Sequence, residues 1–352
     1  EGRGRGLRRD AELGVDVLQV PRHGVLADGE RGGVVAAGED AEAFLARGDR
    51  VWVVDDLSTG RYSNIEHLEG NDRFRLIIDS VLDQPLMEEL IRETDRVFHM
   101  ASAVGVRLIM EQPVKTIETI FHGTDVILKF CSRYRKRVLI PSTSEVYGKG
   151  ASVPFREDDD LLTGATDKHR WAYACAKTLD EFLALAHWKE TRLPVVVVRL
   201  FNTVGPRPTG QNGLVVPRFV HSAVRNEPIT VHGDGNQARC FGHVLDVVEG
   251  LTKVLESPEC FGQVINLGND EEVSIKGLAE KAIELTNSSS EIRFVSYDEA
   301  YGEGFEDMQR RVPSLEKARR LVGYQPTRTL TDIINDVAGE FKENTAALES
   351  NA

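Results

Sequence analysis

The 352-residue sequence predicts an α/β protein built on a parallel sheet with helices on both faces. Two observations point there: short apolar runs rich in Val, Ile and Leu recur along the chain, and amphipathic helical patterns separate them. A third is the stretch "ERGGVVAAGEDAEAFLARGDRVWVVDD" (30–56), which closes as a nucleotide-binding βαβ unit does, with an apolar strand ending in acids.

Taken in order, "VWVVD" (51–55), "RLIID" (75–79), "VFHMAS" (97–102), "RVLIPST" (137–143), "PVVVVRL" (194–200) and "QVINLGN" (263–269) read as buried strands. Between them, "PLMEELIRE" (85–93), "GTDVILKFCSRYRK" (123–136) and "WAYACAKTLDEFLALAHW" (171–188) have the spacing of helices. From about residue 201 the texture changes. Segments rich in Gly, Pro and Asn (201–217, 232–237, 302–314) alternate with helices expected at 274–286 and 329–342. The expected organisation is a large domain over 20–200 to which 242–270 returns, a smaller lobe over 201–342, and a frayed tail over 343–352.

Composition narrows the function. A hydrophobic content of 41% supports a large core. No apolar run reaches the length needed to span a bilayer, and the Arg-rich N-terminus lacks a signal-peptide core, so a cytoplasmic protein is expected. Cys131, Cys175, Cys240 and Cys260 lie far apart without ligand spacing, which argues against disulfides and zinc. A net charge of -13 argues against nucleic acid as a partner.

The most informative spacing is Tyr173-Ala-Cys-Ala-Lys177. Residues four apart share a helix face, and an ammonium beside a phenol favours the phenolate. Tyr173 is therefore a candidate general base. Upstream, a predicted strand runs into Ser142-Thr143-Ser144-Glu145-Val146-Tyr147-Gly148, placing hydroxyls and a carboxylate at the C-terminal edge of the sheet, where open α/β folds build their sites.

"STSEVYG", "YACAK", "RLFNTVGPR" (199–207), "GDGNQARCF" (233–241), "INLGN" (265–269) and "DMQRRVP" (307–313) occur in that order, and as a set they resemble the extended short-chain dehydrogenase/reductases that act on nucleotide sugars as epimerases, dehydratases and decarboxylases. The resemblance runs from about Asp49 to Phe341. "PVKTIET" (113–119), Ser144-Glu145 and Asp307-x-x-x-Arg311-x-Pro313 look most like UDP-glucuronate decarboxylases.

This resemblance implies a Rossmann-type fold, an NAD cofactor, a UDP-linked sugar and a homodimer packed through the helices at 123–136 and 171–188. By the same resemblance Asp55 would bind the adenosine ribose, Asp79 and Ser80 the adenine, and Ala101 and Ser102 would lie over the cofactor. Tyr173 and Lys177 would be catalytic, with Thr143, Ser144 and Glu145 beside them. Asn202, Arg239 and Arg311 would hold the sugar and its diphosphate, a task suited to the rigid guanidinium fork. His99 reads instead as a packed core residue, and Gly205-Pro206-Arg207 as the turn into the smaller lobe.

The sequence departs from the family pattern in two places. Counting back from Asp55 puts the glycines of a G-x-x-G-x-x-G turn at Arg31, Val34 and Ala37, none of them glycine. "RHGVLADGE" before them is broken by charge and Gly, and no apolar strand is expected there. From "AEAFLARGD" (41–49) the pattern resumes, so residues 1 to about 40 are read as out of frame or upstream of the true start, the alternative being a degenerate lobe. The second departure is Ile120, where relatives have Asn.

The expected function is thus an NAD-dependent UDP-glucuronate decarboxylase working through a 4-keto sugar. Alternatives are a UDP-glucose 4-epimerase or 4,6-dehydratase and, from another class, an inactive nucleotide-sugar-binding protein.

Overall fold

The computed structural model describes residues 24–27, 38–58, 62–102, 112–150, 152–168, 170–207, 214–301 and 308–350. The first part of the chain forms β1 (Gly24–Ala27), α1 (Gly38–Ala46), β2 (Val51–Asp55), β3 (Phe74–Ile78), α2 (Gln84–Glu93), β4 (Arg96–His99), α3 (Pro113–Tyr134), β5 (Arg137–Thr143), α4 (Arg170–Thr191) and β6 (Val195–Leu200). Then come β7 (Thr203–Val204), α5 (Val215–Val224), β8 (Ile229–His232), β9 (Ala238–Cys240), β10 (Gly242–His243), α6 (Val244–Glu256) and β11 (Val264–Leu267). The remainder is β12 (Glu272–Ser274), α7 (Ile275–Thr286), β13 (Ile292–Val295), α8 (Tyr297–Tyr301), β14 (Arg310–Arg311), α9 (Glu316–Val322) and α10 (Leu330–Ser350).

Seven strands make the main sheet in the order β11-β6-β5-β4-β1-β2-β3. Side chains alternate across it as strand geometry requires. Val53, Phe98, Leu139 and Val198 enter a core with Phe44 of α1, Leu251 of α6 and Ala318 of α9. Their neighbours Val54, Val97, Val138 and Val197 enter the opposite core with Leu90 of α2, Val126 of α3 and Ala184 of α4. Burial on both faces explains why these strands are unbroken apolar runs. A further core joins α5, α7 and α10 through Phe219, Leu278 and Ile334. Among the described residues no helix is long and apolar enough to cross a membrane.

Several expectations change. The sheet is parallel except at its middle, where β1 runs antiparallel to both β2 and β4. A strand therefore does exist inside "RHGVLADGE", because the four residues GVLA suffice for a short strand supplied with ladder partners on both sides. Ala27 pairs with Arg96 at the start of β4, so the chain leaves β1 at the edge opposite to that of its neighbours' C-termini. The expected glycine positions Arg31, Val34 and Ala37 lie outside the described residues.

The helix expected from residue 123 begins at Pro113, whose fixed φ and missing N–H suit a first helical turn. Gly123 lies within it, where a Cβ would stand 3.5 Å from the His99 ring, in ordinary contact with β4. The tail expected to fray from 343 is helical as far as Ser350.

Candidate active site

β5, β6 and α4 bring together the residues singled out by the sequence. Thr143 ends β5 fully buried, and its hydroxyl accepts from the backbone N–H of Glu145 at 3.2 Å. This cap opens the tight turn Ser144–Tyr147, all of it buried. The Ser144 hydroxyl, also buried, has no hydrogen-bond partner among the described residues. Gly148 closes the turn at φ 55, with its Cα so close to the backbone of Leu162 that a Cβ would lie 2.1 Å from the Leu162 carbonyl oxygen.

α4 packs against this turn and presents Tyr173 and Lys177, 3% and 2% exposed, one helical turn apart. Lys177 Nζ pairs with Asp180 Oδ2 at 3.3 Å. His99, at the end of β4, is buried as the sequence suggested. Desolvation, assisted by the Lys177 charge, pushes its imidazole down to about 3, so it is neutral at physiological pH.

Arg239 and Arg311 are not surface ion pairs. They occupy the same register on the paired parallel strands β9 and β14 and are 1% and 0% exposed. Arg311 Nη2 lies 2.6 Å from Glu145 Oε1, which joins the three-stranded sheet β12-β9-β14 to the turn after β5. Arg239 Nη1 donates to the Ala238 carbonyl at 2.9 Å. Two buried guanidiniums at one register position concentrate positive charge in a place suited to a diphosphate. Asn202, two residues beyond β6, donates from Nδ2 to the Cys240 carbonyl at 3.2 Å, while its buried Oδ1 has no partner among the described residues.

The residues proposed to face a cofactor follow the strands β2, β3 and β4. Asp55 is buried at the end of β2 and accepts from the Leu57 N–H at 2.8 Å. Asp79, one residue beyond β3, is exposed and accepts from Ser80 N–H at 2.7 Å. Ala101 and Ser102 follow β4 half-buried, and the Ser102 Oγ is a buried oxygen without a hydrogen-bond partner among the described residues. These groups and Lys177 suit the ribose and adenine of a nicotinamide dinucleotide. Arg207, with φ 57, makes two hydrogen bonds to Glu42 of α1, at 2.7 and 3.0 Å, and so ties the turn after β7 to the larger domain.

Sequence reasoning missed the layer behind the site. Glu181 accepts from Arg199 Nε at 3.0 Å and Nη2 at 2.8 Å, and also from the Ser142 hydroxyl. The Arg199 guanidinium lies 4.8 Å from the centre of the Tyr147 ring, which stacks on Phe155 and donates to Asn266 Oδ1 at 2.7 Å. Burial pushes the Tyr147 phenol up to about 12, against the pull of Arg199, so this tyrosine is no base despite its place beside Glu145. A charge inside the apolar run "PVVVVRL" and an acid four residues after Lys177 were the signals that could have revealed this pair.

A doubly wound sheet with a Tyr–Lys pair on the helix after its fourth parallel strand fits an enzyme of the dehydrogenase/reductase type, and the relatives of the chain are enzymes that act on nucleotide sugars. The chain belongs to the GDP-mannose 4,6 dehydratase family, whose model matches residues 40–337. It is 40% identical over 304 residues to a UDP-N-acetyl-alpha-D-glucosaminuronate decarboxylase of Bacillus cytotoxicus, covering 86% of this chain and 93% of that protein. It is 35% identical to UDP-glucuronic acid decarboxylase 1 of Xenopus tropicalis, over 86% of this chain and 68% of the relative. Among solved structures, the UDP-glucuronic acid 4-epimerase of Bacillus cereus in complex with UDP-glucuronic acid and NAD superposes with a TM-score of 0.77 at 25% identity, covering 87% of this chain and 96% of that one.

Proposed function

We propose that this protein decarboxylates a UDP-linked hexuronate through a 4-keto sugar, with NAD as its cofactor. The observation that carries the reading is the buried Glu145–Arg311 pair beside the turn that follows Thr143, close to the helix bearing Tyr173 and Lys177. It fixes a guanidinium at the turn that packs on the helix bearing the candidate base, where it can face the sugar of a bound nucleotide. The similarity to two UDP-hexuronate decarboxylases supports it.

In this reading Asp55, Asp79, Ser80, Ala101 and Ser102 hold the adenosine end of NAD, and Tyr173 and Lys177 border its nicotinamide ribose. Bound NAD supplies the acceptor, and later the donor, of a hydride at sugar C4. Tyr173 takes the proton of the 4-hydroxyl, helped by the Lys177 charge, while Thr143 hydrogen-bonds the same oxygen. The resulting β-keto acid loses CO2, the C4–C5 enolate left behind takes a proton from water at C5, and Tyr173 returns its own proton to the C4 oxygen as the ketone is reduced, leaving a UDP-pentose. Ser144 and Glu145 flank the sugar. Asn202 just beyond β6, Arg239 on β9 and Arg311 on β14 bind the sugar and diphosphate. Exposed Val114 and Ile117 on α3 with Leu179 and Phe182 on α4 provide the apolar face of a homodimer.

Incubation of the purified chain with NAD and either UDP-glucuronate or its 2-acetamido analogue, followed by NMR, tests this. One CO2 per UDP-pentose is the expected result. A C4 epimer with the carboxylate retained would move the protein to the epimerases, which share the oxidation and the reduction at C4 but not the loss of CO2. Mass spectrometry of the denatured protein reads whether NAD is carried.

A further inference from the structure

The space behind Lys177 holds polar groups that the reaction as described does not use. Lys177 Nζ lies 3.3 Å from Oδ2 of Asp180, and Asp180 is fully buried. Three residues apart on α4, the two side chains leave the helix on one face. β4 contributes His99, whose ring nitrogens have no hydrogen-bond partners among the described residues. α3 contributes Thr124, whose hydroxyl is buried and lowers the affinity of Asp180 for a proton. Glu181, next along α4, also acts on Asp180 but is engaged with Arg199. Because His99 is neutral, the charged groups acting on Asp180 are Lys177 and Glu181.

We propose that Asp180 is a positioning residue of the Tyr173–Lys177 pair: by compensating part of the buried ammonium charge, it keeps the phenol able both to take a proton and to return it. The proposal rests on the reading of Tyr173 as the base. An uncompensated ammonium in a buried site would favour the phenolate strongly. The proposed cycle asks two opposite acts of one phenol, first as base and then as acid. A group that does both works best when its two forms are close in free energy at the working pH. Burial pushes the Asp180 carboxyl up to about 6, with Lys177 and Thr124 drawing it back, so it is largely ionised at neutral pH and able to act as the counter-charge.

The test is a pH titration of phenolate absorbance in the full chain, with the Tyr173→Phe spectrum subtracted to isolate one of the seven tyrosines. Asp180→Asn, which keeps shape and removes charge, is expected to lower the Tyr173 midpoint by about one pH unit. A midpoint that stays or rises in folded Asp180→Asn overturns the proposal. Asp180→Ser, which removes the same charge with a smaller side chain, should move the midpoint the same way. If Asp180→Asn does not fold, an unmoved midpoint in Asp180→Ser decides against the proposal instead. The titration needs no turnover. A lowered midpoint in a protein that releases no CO2 from either hexuronate would keep the role of Asp180 and reject the decarboxylase reading.

Discussion

Arg199 and Glu181 face each other through two hydrogen bonds inside the protein, joining the strand β6 to the helix that carries Tyr173 and Lys177. Glu181 also takes the Ser142 hydroxyl, so one carboxylate fixes α4 against both β5 and β6. Removing one partner strands the other charge in the core. Arg199→Met should therefore cost about 3–5 kcal/mol in urea unfolding, and Arg199→Met with Glu181→Leu should cost less than the single change.

Tyr173→Phe keeps the ring and removes the proton acceptor. Turnover should fall by about 10²- to 10⁴-fold with an unchanged melting temperature, measured by NMR of UDP-sugar conversion and by circular dichroism. An active Tyr173→Phe enzyme would rule out this tyrosine as the base.

Neighbouring arginines should behave differently. Arg239 is buried, whereas Arg310 is exposed and occupied with Glu272 at 2.7 Å. Calorimetry with UDP alone should show Arg239→Met weakening binding by about 10- to 100-fold, the value of a charged hydrogen bond, and Arg310→Met changing it little.

His99 gives a pH signature. Its folded imidazole is held at about 3 by burial, with the Lys177 charge adding, against an ordinary 6.5. A depressed value means that stability is fully present above 6.5 and is lost as pH falls toward 3, because the unfolded chain takes up the proton first. His99→Leu should thus lose less stability than the parent between neutral pH and about pH 4, read from urea midpoints.

Gly148→Ala should destabilise the protein by more than about 1 kcal/mol. The new methyl would collide with the carbonyl of Leu162, which accepts from the Lys149 N–H at 2.6 Å. Since this turn carries Glu145, activity should fall along with the thermal midpoint.

Much of this fold was legible because strands buried on both faces leave an unmistakable run of Val and Ile, as in β5 and β6. Tyr173 and Lys177 were legible because four-residue spacing has one meaning on a helix. The direction of β1 was not: four apolar residues pair equally well either way, and polarity along a strand leaves no trace in composition. Asp180 was unread for a different reason. An acid on an amphipathic helix resembles any solvated one until elements distant in sequence bury it, as happens to Asp180 on the helix that packs against α3, β5 and β6.

The reversed β1 also has a mechanical meaning. In the plane of the sheet, β2 and β3 are attached to β4, β5, β6 and β11 only through this four-residue strand. That ladder pairs three residues on each side, and the two-strand flap beyond it is held besides by α1 on one face and by α2 on the other. Should that ladder open under load or partial denaturation, the flap bearing Asp55 would peel away while the strands β4, β5, β6 and β11 stay assembled.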